Sequence, residues 1–142
     1  MGTGTLVVLD TNVLVSAFGW EGPERDVYRL CRRGELETVT SRPLLEELER
    51  VLGYPKFGLD HEEVEAVLAD VKSVAGLVEP ERAVRAVSED PADDRVLECA
   101  VTSGADYIVS GDQHLLTLDA YEGVSVVRAS ELLDRLGASD TQ

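Results

Sequence analysis

Leu6-Val7-Val8-Leu9-Asp10 is a four-residue apolar run that stops at a carboxylate, and a helix-like segment, Asn12 to Phe18, follows at once. A short, uninterrupted apolar run reads as a strand buried on both faces, as in a parallel sheet. The same grammar recurs downstream. Glu24 to Arg33 reads as a helix closed by Gly34, Leu36 to Thr40 as a second strand, and Ser41 as the cap of a helix from Arg42 to Leu52. A loop through Gly53, Tyr54, Pro55 and Gly58 leads to a long amphipathic helix, Asp60 to Ala75, stopped by Gly76, with a short extended piece at Leu77-Val78. Ala92 to Ser103 reads as a helix ended by Gly104, and Tyr107-Ile108-Val109-Ser110 as a third clear strand terminated by Gly111-Asp112. A short helix, His114 to Leu118, a strand, Val124 to Val127, and a last helix, Ala129 to Leu136, complete the pattern, leaving residues 137–142 as a polar tail. Strands alternating with helices predict an α/β fold with a mostly parallel sheet covered on both faces. Ligands in such folds sit beyond the carboxyl ends of the strands, where Asp10 and Asp112 both fall.

Length and composition set the frame. With 142 residues, 44% of them hydrophobic, the chain suits one domain around one core. No stretch approaches the roughly 20 apolar residues of a membrane span, and the first residues lack the basic end and apolar stretch of a signal peptide, so a cytoplasmic protein is expected. Cys31 and Cys99 are far apart and in no C-x-x-C arrangement, which points to reduced packing residues rather than a disulfide or zinc framework. Against 28 acidic residues stand 13 basic ones, of which only Lys56 and Lys72 are lysines. A formal net charge of −15 repels nucleic acid at long range and argues against a general nucleic-acid coat. It leaves room for a nuclease, because bound divalent cations invert the local field of an acidic site.

Two helices carry carboxylates where packing alone would not choose them. Asp93, Val96, Leu97 and Ala100 recur at i, i+3, i+4 and i+7, which centres Asp93 on the apolar stripe and leaves Asp94 at its edge. In the Ser41 helix the stripe is Leu44, Leu45, Leu48, Val51 and Leu52, with Glu47 on its border and Glu46 pointing away. A first-turn aspartate favoured by the positive helix end, and an ordinary flanking glutamate, are the purely structural readings of Asp93 and Glu47. Four acids drawn into one cleft repel one another unless a cation neutralises them, and an all-oxygen donor set suits Mg²⁺ or Mn²⁺. Such a site points to metal-dependent phosphoryl chemistry.

Leu9-Asp10-Thr11-Asn12-Val13, Ser41 with Leu45-Glu46-Glu47-Leu48, Asp90-Pro91-Ala92-Asp93-Asp94, and Ala105-Asp106-Tyr107-Ile108-Val109-Ser110-Gly111-Asp112 together resemble the PIN domain, particularly its VapC-like branch of toxins from toxin–antitoxin systems. The resemblance runs from about Leu6 to Leu136, with the four motifs in the expected order. It implies a Rossmann-like three-layer α/β/α sandwich whose acids hold Mg²⁺ or Mn²⁺ for hydrolysis of RNA. Carried over by position, Asp10, Glu47, Asp93 and Asp112 are the expected catalytic metal ligands, with Thr11, Asn12, Ser16, Asp94 and Ser110 in support. The implied reaction is in-line attack of activated water on phosphorus, leaving a 5′-phosphate and a 3′-hydroxyl. A small antitoxin with an Arg or Lys among the carboxylates, and homodimerisation aided by the Asp60 helix, are the implied partners. The chain departs from the pattern at His114, which stands where some members of the family carry a further acid.

Two features stand outside the motifs. Trp20, in a Gly- and Pro-bearing loop, suits stacking on a base or packing under the loop or against a partner. Arg25, Arg29, Arg32 and Arg33 form a basic concentration that suits RNA phosphates, an acidic protein, or simple solvation. Rival readings are a haloacid-dehalogenase-type phosphatase, a receiver-like module, and a PIN-fold binding module with weak catalysis or none. The phosphatase reading wants an aspartate where Asn12 stands, and both it and the receiver want a well-placed lysine that the chain lacks.

Overall fold

The computed structural model describes residues 4–80 and 91–140, so Asp90 and residues 141–142 lie outside it. Six strands form one sheet in the order β3-β2-β1-β4-β6-β5: β1 (Leu6–Leu9), β2 (Glu37–Ser41), β3 (Gly76–Val78), β4 (Tyr107–Val109), β5 (Ala120–Tyr121) and β6 (Val124–Val127). All neighbours pair in parallel except β5 with β6. From β1 the chain builds outward to β2 and β3, then returns to the other side of β1 for β4, so the order reverses between β1 and β4. That seam is where an open parallel sheet leaves a crevice at its carboxyl edge.

Strand alternation divides the core into two halves. Val7, Leu9, Val109 and Val127 face one side, against α1 (Thr11–Gly19), α2 (Pro23–Arg32), α4 (His61–Val74) and α7 (Ala129–Asp140). Val8, Ile108, Val124 and Val126 face the other, against α5 (Pro91–Ser103) and Leu115 of α6 (Gln113–Leu118). The helix α3 (Arg42–Leu52) contributes Leu48, Val51 and Leu52 to the first half and Leu44 to the second. The result is the expected three-layer α/β/α arrangement. Cys31 and Cys99 lie in different halves, and burial pushes both thiols up to about 12, which leaves them inert packing groups.

Helix starts are set by side chains that satisfy the first free N–H groups. Asp10 caps α1, Ser41 caps α3 with its Oγ accepting from Leu44 N at 3.4 Å, and Asp112 caps α6. Asp60 and Glu63 form a reciprocal capping box on α4. Across the first layer, the Tyr28 hydroxyl donates to Asp70 Oδ1 at 2.6 Å, and the Arg32 guanidinium grips both Asp70 oxygens at 3.0 and 2.8 Å. This cluster joins α2 to α4.

Two elements differ from the sequence expectation. The last helix runs on through Gly137 to Asp140, so the polar tail expected from residue 137 is helical for its first part. A hairpin, β5 to β6, was not expected from the sequence. It turns on Glu122 and Gly123, which hold φ of 48° and 86°, the pairing a tight two-residue turn requires. A two-residue strand is too short to show alternation, which is why the pattern passes over it. No helix among the described residues is long and apolar enough to cross a membrane.

Replacing Tyr28 with Phe should lower stability by about 1 kcal/mol, the usual net worth of one such hydrogen bond, measured as a shifted urea midpoint at unchanged slope.

Candidate metal centre

The carboxyl ends of β1 and β4 lie side by side, and a chain of hydrogen bonds joins them. Asp10 N donates to Val109 O at 3.0 Å and Ser110 N to Val127 O at 3.0 Å, which extends the sheet pairing one residue past each strand. Ser110 Oγ then donates to Asp10 Oδ2 at 2.8 Å and accepts from Asp112 N at 2.9 Å. Thr11 N donates to Asp10 Oδ1 at 2.8 Å. Asp112 Oδ1 accepts from His114 N at 2.8 Å and Leu115 N at 3.4 Å. One buried serine hydroxyl therefore sets the position of both aspartates.

Asp93 reaches the same place from the first turn of α5. Asp93, Asp112 and His114 offer ligand atoms that lie within 4.8 Å of one another. Asp10 stands beside them, close enough for the charges of Asp93 and Asp112 to act on it. Burial, with those two charges in support and against the hydrogen bonds from Ser110 and Thr11, raises the Asp10 carboxyl from 3.8 to about 6. Three aspartates in such a place fit a divalent cation. A cation would remove their mutual repulsion, and their oxygens suit a hard ion.

The other expected site residues fall in different places. Thr11 is buried in the first turn of α1, Asn12 is exposed beside it, and Ser16 is half-buried one turn further on. Glu47 is half-buried on α3, and its carboxylate is taken by Arg50 one turn along in an ion pair and hydrogen bond. It stands outside the Asp93, Asp112 and His114 group. Asp94 is as deeply buried as Asp93, at 6% and 3% exposure, rather than at the edge of a stripe. The reason is that α5 lies against β1, β2, β3, β4 and α3, so most of its circumference is covered. Asp94 Oδ1 is buried there with no hydrogen-bond partner.

Sequence reading passed over Glu98, which is buried on α5 and paired with Arg95 at 2.9 and 3.0 Å. Its spacing of four from Asp94 was the available signal. His114, at which the chain departs from the family pattern, stands beside two of the acids.

The features outside the motifs also find places. Trp20 closes the far end of α1 from Asp10, roughly 13 Å along the nine-residue helix. It lines an apolar groove of about 530 Å³ with Phe18, Phe57, Leu59 and Val67, and none of the acids of the metal centre lines it. The arginines of α2 and its end are engaged locally. Arg25 Nε donates to Ala17 O at 2.9 Å, Arg32 holds Asp70, Arg29 lies 3.7 Å from Asp26 and Arg33 3.8 Å from Glu35.

A family model described as a PIN domain matches residues 6–114, about three quarters of the chain. Among solved structures, PAE2754 from Pyrobaculum aerophilum aligns over 97% of this chain and 99% of its own with a TM-score of 0.61 and 17% identity. The RRP44 PIN domain of T. brucei aligns over 98% of this chain and 84% of its own with a TM-score of 0.53 and 12% identity. No curated protein matches the chain.

Two outcomes are expected at this centre. In the unfolded chain Asp10 loses its proton near 3.8, and in the folded protein near 6, so between those values the folded state holds a proton that the unfolded state has released. Stability of the metal-free protein should therefore fall as pH rises from about 4 to about 6.5, with up to roughly 3 kcal/mol at stake. The difference between wild type and Asp10→Asn in urea unfolding at each pH isolates that contribution. A flat difference across the window would show that Asp10 is not raised. Ser110→Ala removes the hydroxyl that holds Asp10 and Asp112 and should weaken Mn²⁺ binding, by calorimetry, about 10- to 100-fold.

Proposed function

The chain belongs to the PIN-domain family, a nuclease fold, and from that membership we propose that it is a metal-dependent endoribonuclease acting at the cluster of Asp10, Asp93 and Asp112. The observation that carries the reading is the convergence of these three aspartates at the seam between β1 and β4, with Asp10 raised to about 6 by burial and by the other two. Three buried or half-buried carboxylates brought together, two of them held by one serine, are costly unless they neutralise a cation.

When bound, Mg²⁺ or Mn²⁺ supplies the charge that neutralises phosphate, activates water and stabilises the leaving oxygen. The chain supplies the rest. Asp10, Asp93 and Asp112 hold the ion, Ser110 fixes two of them, and the first N–H groups of α1 and α5 favour negative charge at the site. Thr11, Asn12 and Ser16 line the first turns of α1 beside Asp10 and orient water or phosphate. Glu47 joins the set when Arg50 turns to solvent or phosphate. Asp94 lies buried beside Asp93 in the first turn of α5, as a supporting residue.

The natural role we assign is that of the toxin of a toxin–antitoxin pair. Its partner is a small basic protein that places an Arg or Lys among the carboxylates, a reading supported by the net charge of −15 and by the gathering of Asp10, Asp93 and Asp112 at one place. Self-association through α4 has the exposed Ala66 and Ala69 available to it.

The test is cleavage of labelled single-stranded and structured RNAs with Mn²⁺, Mg²⁺ or EDTA, beside identically purified Asp10→Asn, Asp93→Asn and Asp94→Asn variants. Cleavage should need the metal and fall more than about 100-fold in the first two variants, beyond the cost of losing an outer partner. Equal cleavage by all four proteins would trace the activity to a contaminant. Loss in Asp94→Asn with retention in Asp93→Asn would exchange those two assignments. For the toxin role, growth should stop on induction of the wild type alone and resume with co-expression of a small neighbouring gene.

A further inference from the structure

His114 stands at the second position of α6, immediately after the Asp112 cap, and its side chain is 64% exposed. Its Nδ1 lies 3.8 Å from Asp112 Oδ1, beyond hydrogen-bond distance, so the imidazole is not spent on that carboxylate. Asp112 Oδ1 accepts from the two amides of the cap, at 2.8 and 3.4 Å, which holds the carboxylate in place beside the ring. The ring therefore lies alongside Asp112 and Asp93 with a nitrogen lone pair within 4.8 Å of a carboxylate oxygen from each. Three ligands spread evenly round an ion with bonds of about 2.1 Å are about 3.6 Å apart, so three atoms within 4.8 Å of one another close on one ion with shifts of up to about 0.7 Å each.

We propose that His114 is a nitrogen ligand of the metal centre, making it a mixed oxygen and nitrogen site that takes Mn²⁺ or a later first-row divalent ion in preference to Mg²⁺. The inference rests on the nuclease reading and names its cofactor. Mg²⁺ is a hard ion that seeks oxygen and gives up water reluctantly, whereas imidazole binds the transition metals increasingly well along the series from manganese to copper. The position of the histidine supports this role. It is carried on α6, whose start is fixed by Asp112 and whose Leu115 is buried in the core, so the ring needs only side-chain rotation to reach the ion. The other histidine of the chain, His61, begins α4 and belongs to no such group among the described residues.

With only two histidines, the ligand can be identified directly. Mn²⁺ would be added to wild type, His61→Ala, His114→Ala and His114→Asp, and bound ion examined by electron spin-echo spectroscopy for ¹⁴N modulation, without any RNA. Affinities for Mn²⁺ and Mg²⁺ would be measured in parallel by calorimetry. The expected result is imidazole nitrogen modulation in wild type and His61→Ala that vanishes in both His114 variants. His114→Ala should bind Mn²⁺ at least about tenfold more weakly, and His114→Asp should narrow the margin between Mn²⁺ and Mg²⁺. Bound Mn²⁺ without nitrogen modulation, or modulation that survives His114→Ala, overturns this inference and leaves the aspartate centre standing. Failure of wild type to bind either ion overturns both. The exposed position of His114 makes both substitutions compatible with folding.

Discussion

The hydrogen bond from Ser110 Oγ to Asp10 Oδ2 holds the architecture of the centre together. Asp10 is the residue that follows β1 and caps α1, and Ser110 is the residue that follows β4. The bond therefore fixes the relative height of two parallel strands at the seam where the strand order reverses. The same hydroxyl accepts from Asp112 N and so sets the start of α6. A carboxylate buried at this depth keeps a place in the fold only if its oxygens are engaged, and here each receives one donor from the chain. One donor per oxygen leaves further lone pairs, which distinguishes a carboxylate prepared for a ligand from one fully spent on structure.

Each of the three aspartates also sits at the beginning of a helix: Asp10 before α1, Asp93 in the first turn of α5 and Asp112 before α6. Helix starts favour negative charge, so the fold offsets part of the repulsion that the cluster creates. It does not remove it, as the raised Asp10 carboxyl shows. The large negative charge of the chain fits the same logic. Negative charge repels nucleic acid at a distance, and a cation at the three aspartates would invert that field at one point only.

Much of this was legible in the sequence because the decisive signals are local. The runs Leu6 to Leu9 and Tyr107 to Val109 announce doubly covered strands, and each is followed by the acid that a parallel sheet presents at its edge. The phase of Asp93 with Val96, Leu97 and Ala100 predicted an inward carboxylate, and the structure buries it. Where reading by face fell short, tertiary packing had changed what a face is. Asp94 and Glu98 are as hidden as the apolar stripe because strands and α3 enclose α5 together. Glu47 lies at its predicted border, but its partner Arg50 is set by a side-chain rotamer, which no periodicity encodes. The closeness of His114 to Asp93 joins residues from two helices, a relation visible only once α5 and α6 are placed.

The helix α1 separates two surfaces of opposite character, an acidic one at its start and an apolar one at its end, where the only tryptophan of the chain stands more than half exposed. The protein thus carries its own optical label. Indole emission from Trp20 responds to what enters the groove beside Phe57, Leu59 and Val67, while an ion among the aspartates lies too far along the helix to touch the ring. Loading of the two surfaces can accordingly be followed in one cuvette, the groove by the colour of the tryptophan light and the centre by the ion itself.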